Sequence, residues 1–122
     1  MNRWTRTLVV TVALGLAGTV AVSTHMAYSK SVPAKDAALA ESPSELQVWF
    51  TQDPEPAVSR ISLEGPAGEV TLGETAVASD RSIIASVQNL LGPGTYTVNW
   101  RSAGDDGHVL RGDFSFTVRA AN

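Results

Sequence analysis

From residue 44 onward, apolar and polar positions alternate with a period of two, the mark of strands buried on one face. Leu46, Val48 and Phe50 fall on one face, with Gln47 and Thr51 between and beyond them and Trp49 on the other. Asp53-Pro54-Glu55-Pro56 breaks this strand. Val58 to Glu64 forms the next run and ends at Gly65-Pro66. Glu69 to Leu72 makes a short strand, and Ser82 to Val87 a more apolar one. After the turn Leu91-Gly92-Pro93-Gly94, the stretch Thr95 to Arg101 carries Tyr96, Val98 and Trp100 on one face and Thr95, Thr97 and Asn99 on the other. A loop from Ser102 to Gly107 follows, and Asp113 to Arg119 sets Phe114, Phe116 and Val118 on one face. Together with an extended segment and turn over Ser29 to Ser44, this makes about seven short strands and no amphipathic helix. The pattern predicts an all-β fold, a Greek-key β-sandwich or small barrel of Ig-like or cupredoxin-like form. Core packing is the expectation for Trp49, Tyr96, Trp100, Phe114 and Phe116.

The first 24 residues do not belong to this pattern. Arg3 and Arg6 precede an apolar run from Leu8 to Val22, broken only by Thr11, Gly15, Gly18 and Thr19. A basic start and an apolar stretch of this length predict a secretory signal peptide over 1–24. The run is shorter than the roughly 20 residues that cross a bilayer, so an N-terminal membrane anchor is the lesser reading. The folded part is then residues 25–122, one domain, in the periplasm or another extracytoplasmic space. Without Arg3 and Arg6 it carries 7 basic and 12 acidic residues, a net charge of −5. Such a domain is ill suited to nucleic acid or an anionic membrane. The chain has no cysteine, which removes disulfides, thiolate zinc sites and blue-copper chemistry alike.

The side chains able to hold a metal are then few. The 122 residues contain two histidines, His25 and His108. In Asp106-Gly107-His108 an extended backbone would turn residues 106 and 108 to one face, with no side chain at Gly107 to intervene. An exposed turn with no ligand role accounts for the same tripeptide. His25 stands where the signal peptide should end. If cleavage falls before it, it offers a metal its α-amine, with an ordinary pKa near 7.7–8.0, as well as its ring. Cleavage one residue earlier would put Thr24 first and remove that amine. An amine, two imidazoles and a carboxylate form a tetragonal N,O set suited to Cu(II).

These residues resemble the CopC-type periplasmic copper-binding proteins over nearly all of the chain after residue 24. The N-terminal part is similar in His25, followed eight residues later by Pro33, and in Pro33-Ala34-Lys35-Asp36-Ala37-Ala38-Leu39 leading through Pro43 to Leu46-Gln47-Val48-Trp49-Phe50. The later part is more specific: Pro93-Gly94-Thr95-Tyr96-Thr97-Val98-Asn99-Trp100-Arg101, then Asp106-Gly107-His108, Gly112 and Phe114-Ser115-Phe116-Thr117-Val118. The resemblance implies a Greek-key β-barrel in which His25 with its amine, Asp106 and His108 bind one Cu(II). It also implies a role in copper resistance or uptake, often beside a membrane copper permease. Several positions depart from the family pattern. No Met-rich segment is present and Met26 stands alone, so a Cu(II)-only site is expected. Phe50-Thr51-Gln52 replaces the usual Phe-Ser-Glu, Gly104 stands for a Ser, and Val109 for a Pro, changes expected to loosen the loop.

The main expectation is therefore a monomeric, non-enzymatic exported protein that buffers or delivers Cu(II). A metal-free Ig-like interaction module and a copper oxidase of the histidine-brace type are the alternatives.

Overall fold

The computed structural model describes residues 25–121. The expected signal peptide at 1–24 lies outside them. Nine strands run in chain order: β1 Tyr28–Val32, β2 Ala38–Leu39, β3 Glu45–Phe50, β4 Arg60–Gly65, β5 Gly68–Val70, β6 Ala76–Ala78, β7 Ser82–Ser86, β8 Gly94–Ala103 and β9 Val109–Val118. They form a four-stranded sheet, β1-β3-β7-β6, and a five-stranded sheet, β2-β9-β8-β4-β5. Pairing is antiparallel except for β2 against β9. The chain crosses from one sheet to the other five times, between β1 and β2, β2 and β3, β3 and β4, β5 and β6, and β7 and β8. Both sheets stay open, which makes the fold a sandwich; the barrel alternative and the barrel implied by the resemblance are not realised. Among the described residues no helix is long and apolar enough to cross a membrane.

The core follows from the alternation. Leu46, Val48 and Phe50 of β3 and Ile83 and Ala85 of β7 face Ile61 and Leu63 of β4, Tyr96, Val98 and Trp100 of β8, and Phe114, Phe116 and Val118 of β9. Tyr96 stacks on Phe116 with ring centroids 5.5 Å apart, and Phe50 meets Trp100 edge-on at 5.1 Å. The Tyr96 hydroxyl donates to the carbonyl of Gly92 at 2.7 Å, so the buried ring keeps its polar end satisfied. Ser59 and Ser102, both buried, share a 2.7 Å hydrogen bond.

Trp49 is the exception among the five aromatic residues expected in the core. It lies half-buried on the outer face of β3, where its indole N–H donates to Asp80 at 3.0 Å and the Lys30 ammonium sits 4.7 Å from the ring centroid. Strict alternation puts residues 46, 48 and 50 inward, so residue 49 must point out. The Ser82 hydroxyl and the Trp49 N–H hold the Asp80 carboxyl below the ordinary carboxylate value.

Two short edge strands, β2 and β6, went unpredicted, and β8 and β9 are longer than their patterns suggest. β8 continues to Ala103, and β9 begins at Val109 rather than near residue 113. Gly112 explains the second discrepancy. It pairs with Trp100, and a Cβ placed on it would lie 2.3 Å from the indole Cζ2. The inward position is filled by a neighbour's ring, so the sequence shows no apolar residue there. Gly112→Ala should therefore displace the Trp100 ring and destabilise the domain by about 1–3 kcal/mol, read as a lower denaturation midpoint with an unchanged slope.

Candidate metal centre

The three candidate ligands arrive from two parts of the fold. His25 begins the segment that enters β1, whereas Asp106 and His108 lie in the loop, residues 104–108, between β8 and β9. β1 and the β8-β9 pair belong to different sheets. The site therefore forms only where one end of the sandwich brings the two together.

The N-terminal segment is held at both backbone and side chain. The Ala27 N–H donates to the Thr51 hydroxyl at 2.9 Å, and the Thr51 N–H donates to the Ala27 carbonyl at 3.0 Å. Between Ala27 and His25, Met26 turns into the core and is 3% exposed. Burying a side chain of this size contributes about 1.5–3 kcal/mol, enough to fix the neighbouring residue at the surface. The thioether is thus spent on packing, a role not read from the sequence. The signal was present: a lone apolar residue directly before a strand, out of step with its exposed neighbours.

On the other side, the loop turns tightly. The Gly107 N–H donates to the Gly104 carbonyl at 3.0 Å, and Gly107 adopts a φ of 73°, in the left-handed region that glycine enters without strain. Residues 106–108 are therefore not extended, contrary to the alternation argument. Asp106 and His108 meet because Asp106 Oδ1 accepts the His108 backbone N–H at 3.1 Å, the local bond that Asp side chains form in turns. Gly104 is buried, and a Cβ there would stand 2.5 Å from the Gln52 Oε1 and 3.2 Å from the Met26 Cβ. The loop and the N-terminal segment are in direct contact at this point, and a side chain at 104 would need the flexible end of Gln52 to swing away and Met26 to give by a few tenths of an ångström.

The result is a compact cluster. Asp106 Oδ2 lies 2.8 Å from His25 Nδ1 and 3.0 Å from His108 Nδ1. The two imidazole centroids are 5.3 Å apart, tilted by 46°. One ligand atom from each of the three residues lies within 4.8 Å of the others. The cluster opens to solvent through a shallow cavity of about 370 Å³, lined by His25, Met26, Asp106, His108, Val109 and Leu110. The hydrogen bond from the His108 backbone, then that from the His25 ring, holds the Asp106 carboxyl below its ordinary pKa. Asp106 is consequently a carboxylate at neutral pH, and its negative charge sits between two imidazoles. The sequence-predicted residues are all three brought together.

The donor set fits a first-row divalent ion. Two imidazole nitrogens and one carboxylate oxygen are borderline and hard donors, which Cu(II) accepts in tetragonal N,O geometry. Small rotations of exposed side chains would bring atoms already within 4.8 Å to bonds of about 2 Å.

Comparison with known proteins bears on the same stretch. A family model for the CopC domain matches residues 28–119. Copper resistance protein C of Xanthomonas campestris pv. juglandis is 31% identical over 121 residues, covering 93% of this chain and 94% of that protein. The crystal structure of CopC from Methylosinus trichosporium OB3b superposes with a TM-score of 0.72 at 27% identity, over 80% of this chain and 97% of that one. PcoC of Escherichia coli, described as a methionine-rich copper resistance protein, superposes with a TM-score of 0.70 at 29% identity, over 78% and 99%.

Contact between loop and N-terminal segment generates a prediction. A bulky residue at 104 would meet Met26 as well as Gln52, so Gly104→Leu should displace both, destabilise the fold by about 1–3 kcal/mol and separate His25 from Asp106. Loss of the NMR signature of the His25–Asp106 hydrogen bond, with the β-sheet amide pattern retained, is the expected observation.

Proposed function

The chain belongs to the CopC domain family, and from that premise we propose that it is an exported Cu(II)-binding protein serving copper resistance or homeostasis, with one ion per chain. The observation that carries the reading is the convergence of His25 and His108 on a single oxygen of Asp106, from different sheets. An exposed carboxylate–imidazole cluster of this kind does little for stability. It does preassemble three ligands.

Each residue has a separate part. Asp106 supplies a permanent negative charge and bridges the histidines in the absence of metal. His108 supplies a ring nitrogen positioned by the Asp106–backbone hydrogen bond. His25 presents Nδ1, the ring nitrogen that can chelate together with the residue's own amine. The signal peptide directs the protein to the periplasm, and that amine becomes available when a signal peptidase removes residues 1–24. Metal entry displaces a proton from the amine, whose ordinary pKa near 7.7–8.0 makes this possible at neutral pH.

The site is selective for Cu(II). The chain has no cysteine, its methionines are Met1 and Met26, and Met26 is packed in the core. It therefore lacks the soft donors that hold Cu(I), in contrast to the methionine-rich description of the Escherichia coli relative. With its ligands exposed at one end of a rigid sandwich, the protein holds and releases an ion as a monomer rather than performing catalysis, and a membrane copper permease is a suitable recipient.

Intact mass of the exported protein, with and without copper, tests this directly. The expected masses are those of a chain beginning at His25 and of the same chain plus one copper. His25→Ala or His108→Ala should weaken Cu(II) binding by more than about 100-fold. Copper binding equal to wild type in both variants would show that the site is elsewhere.

A further inference from the structure

The outer face of the five-stranded sheet carries a row of three arginines. Arg60 of β4 pairs in register with Arg101 of β8, and Arg101 pairs with Arg111 of β9. All three are exposed. Among the described residues, no hydrogen bond, ion pair or aromatic contact engages their guanidinium groups. Like charges directly opposite on neighbouring strands are destabilising, and here two such pairs share a member. The chain has only nine basic residues against twelve acidic ones, yet three of the nine stand side by side. Asp113, two residues beyond Arg111 on the same face, is in register with Asn99 and not with an arginine, and Glu69 and Glu74 share a cavity with Arg60 without pairing to it.

We propose that this row is a docking surface for a carboxylate-rich face of a partner protein. Arginine favours such a partner, because its planar fork pairs with carboxylates through two parallel hydrogen bonds. Spacing favours it too. Opposed residues on antiparallel strands stand about 4.5–5.5 Å apart, close to the roughly 5–6 Å between acidic residues at i and i+4 on a helix. An anionic membrane is a poorer match: lipid recognition uses clusters of about four to eight basic residues, and the chain as a whole is net negative. Beyond the row, β8 and β9 continue to Ala103 and Val109, and Val109 is 49% exposed. Arg111 is two residues into β9 from Val109, about 7 Å along the strand, and Val109 directly follows His108. A partner seated on the arginines would therefore lie beside the loop of Asp106 and His108. The surface itself is independent of what that loop binds.

The test is an amide chemical-shift titration of the exported, metal-free protein with a helical peptide bearing glutamates at i, i+4 and i+8. The expected shifts centre on residues 60, 101 and 111, and binding weakens about tenfold in Arg60→Gln/Arg101→Gln/Arg111→Gln. Thermal unfolding of that variant at low salt should occur at or above the wild-type temperature, since like charges have been removed. Absence of shifts at these residues, or undiminished binding by the triple variant, would overturn the proposal. So would a preference for phosphatidylglycerol vesicles over the peptide with the same dependence on the three arginines, which would assign the row to a membrane. A lowered unfolding temperature would assign the arginines a role in holding the sheet.

Discussion

Apolar packing between two open sheets is the constraint on which everything else in this domain rests. The chain has no cysteine, and among the described residues no arginine or lysine is ion-paired with a carboxylate. Its cohesion comes from side chains such as Leu46, Val48, Ile83, Leu63, Val98 and Phe116, each with 1% of its surface exposed or less. The same packing builds the candidate metal centre. Met26 extends the core to the N-terminal segment, and Gly104 lets the β8-β9 loop close onto it. His25 and Asp106, 81 positions apart in sequence, become hydrogen-bonding neighbours as a consequence.

Legibility in the sequence followed the physics of each element. β3, β8 and the second half of β9 could be read because half-buried strands force a period of two. β2 and β6 could not, since two- or three-residue edge strands built from Ala, Leu and Val are too short to show one. Trp49 was misplaced by its size, which suggests burial, although its position in the alternation points outward. Gly112 hid the first half of β9 because its inward space belongs to Trp100. These errors share a cause: the missing information lay in a neighbouring strand.

The candidate ligands divide in the same way. Asp106 and His108 are two residues apart and could be paired from local sequence, but for the wrong reason. They meet through a turn, with Gly107 at positive φ and the Asp106 side chain capping the His108 N–H. His25 could be linked to them only through the resemblance to CopC-type proteins and the expected cleavage point. What no local pattern revealed is where the three candidate ligands meet, beside the contact of Gly104 with Met26 and Gln52.

Asp106 is the hub of the proposed site, whose nitrogen ligands come from both histidines. Pulsed electron paramagnetic resonance of the exported protein carrying one Cu(II) counts those nitrogens. Modulation from two coordinated imidazoles, reduced to one in His108→Ala, is the result predicted. A single imidazole in the wild-type protein, or a spectrum unaltered by that substitution, would contradict it.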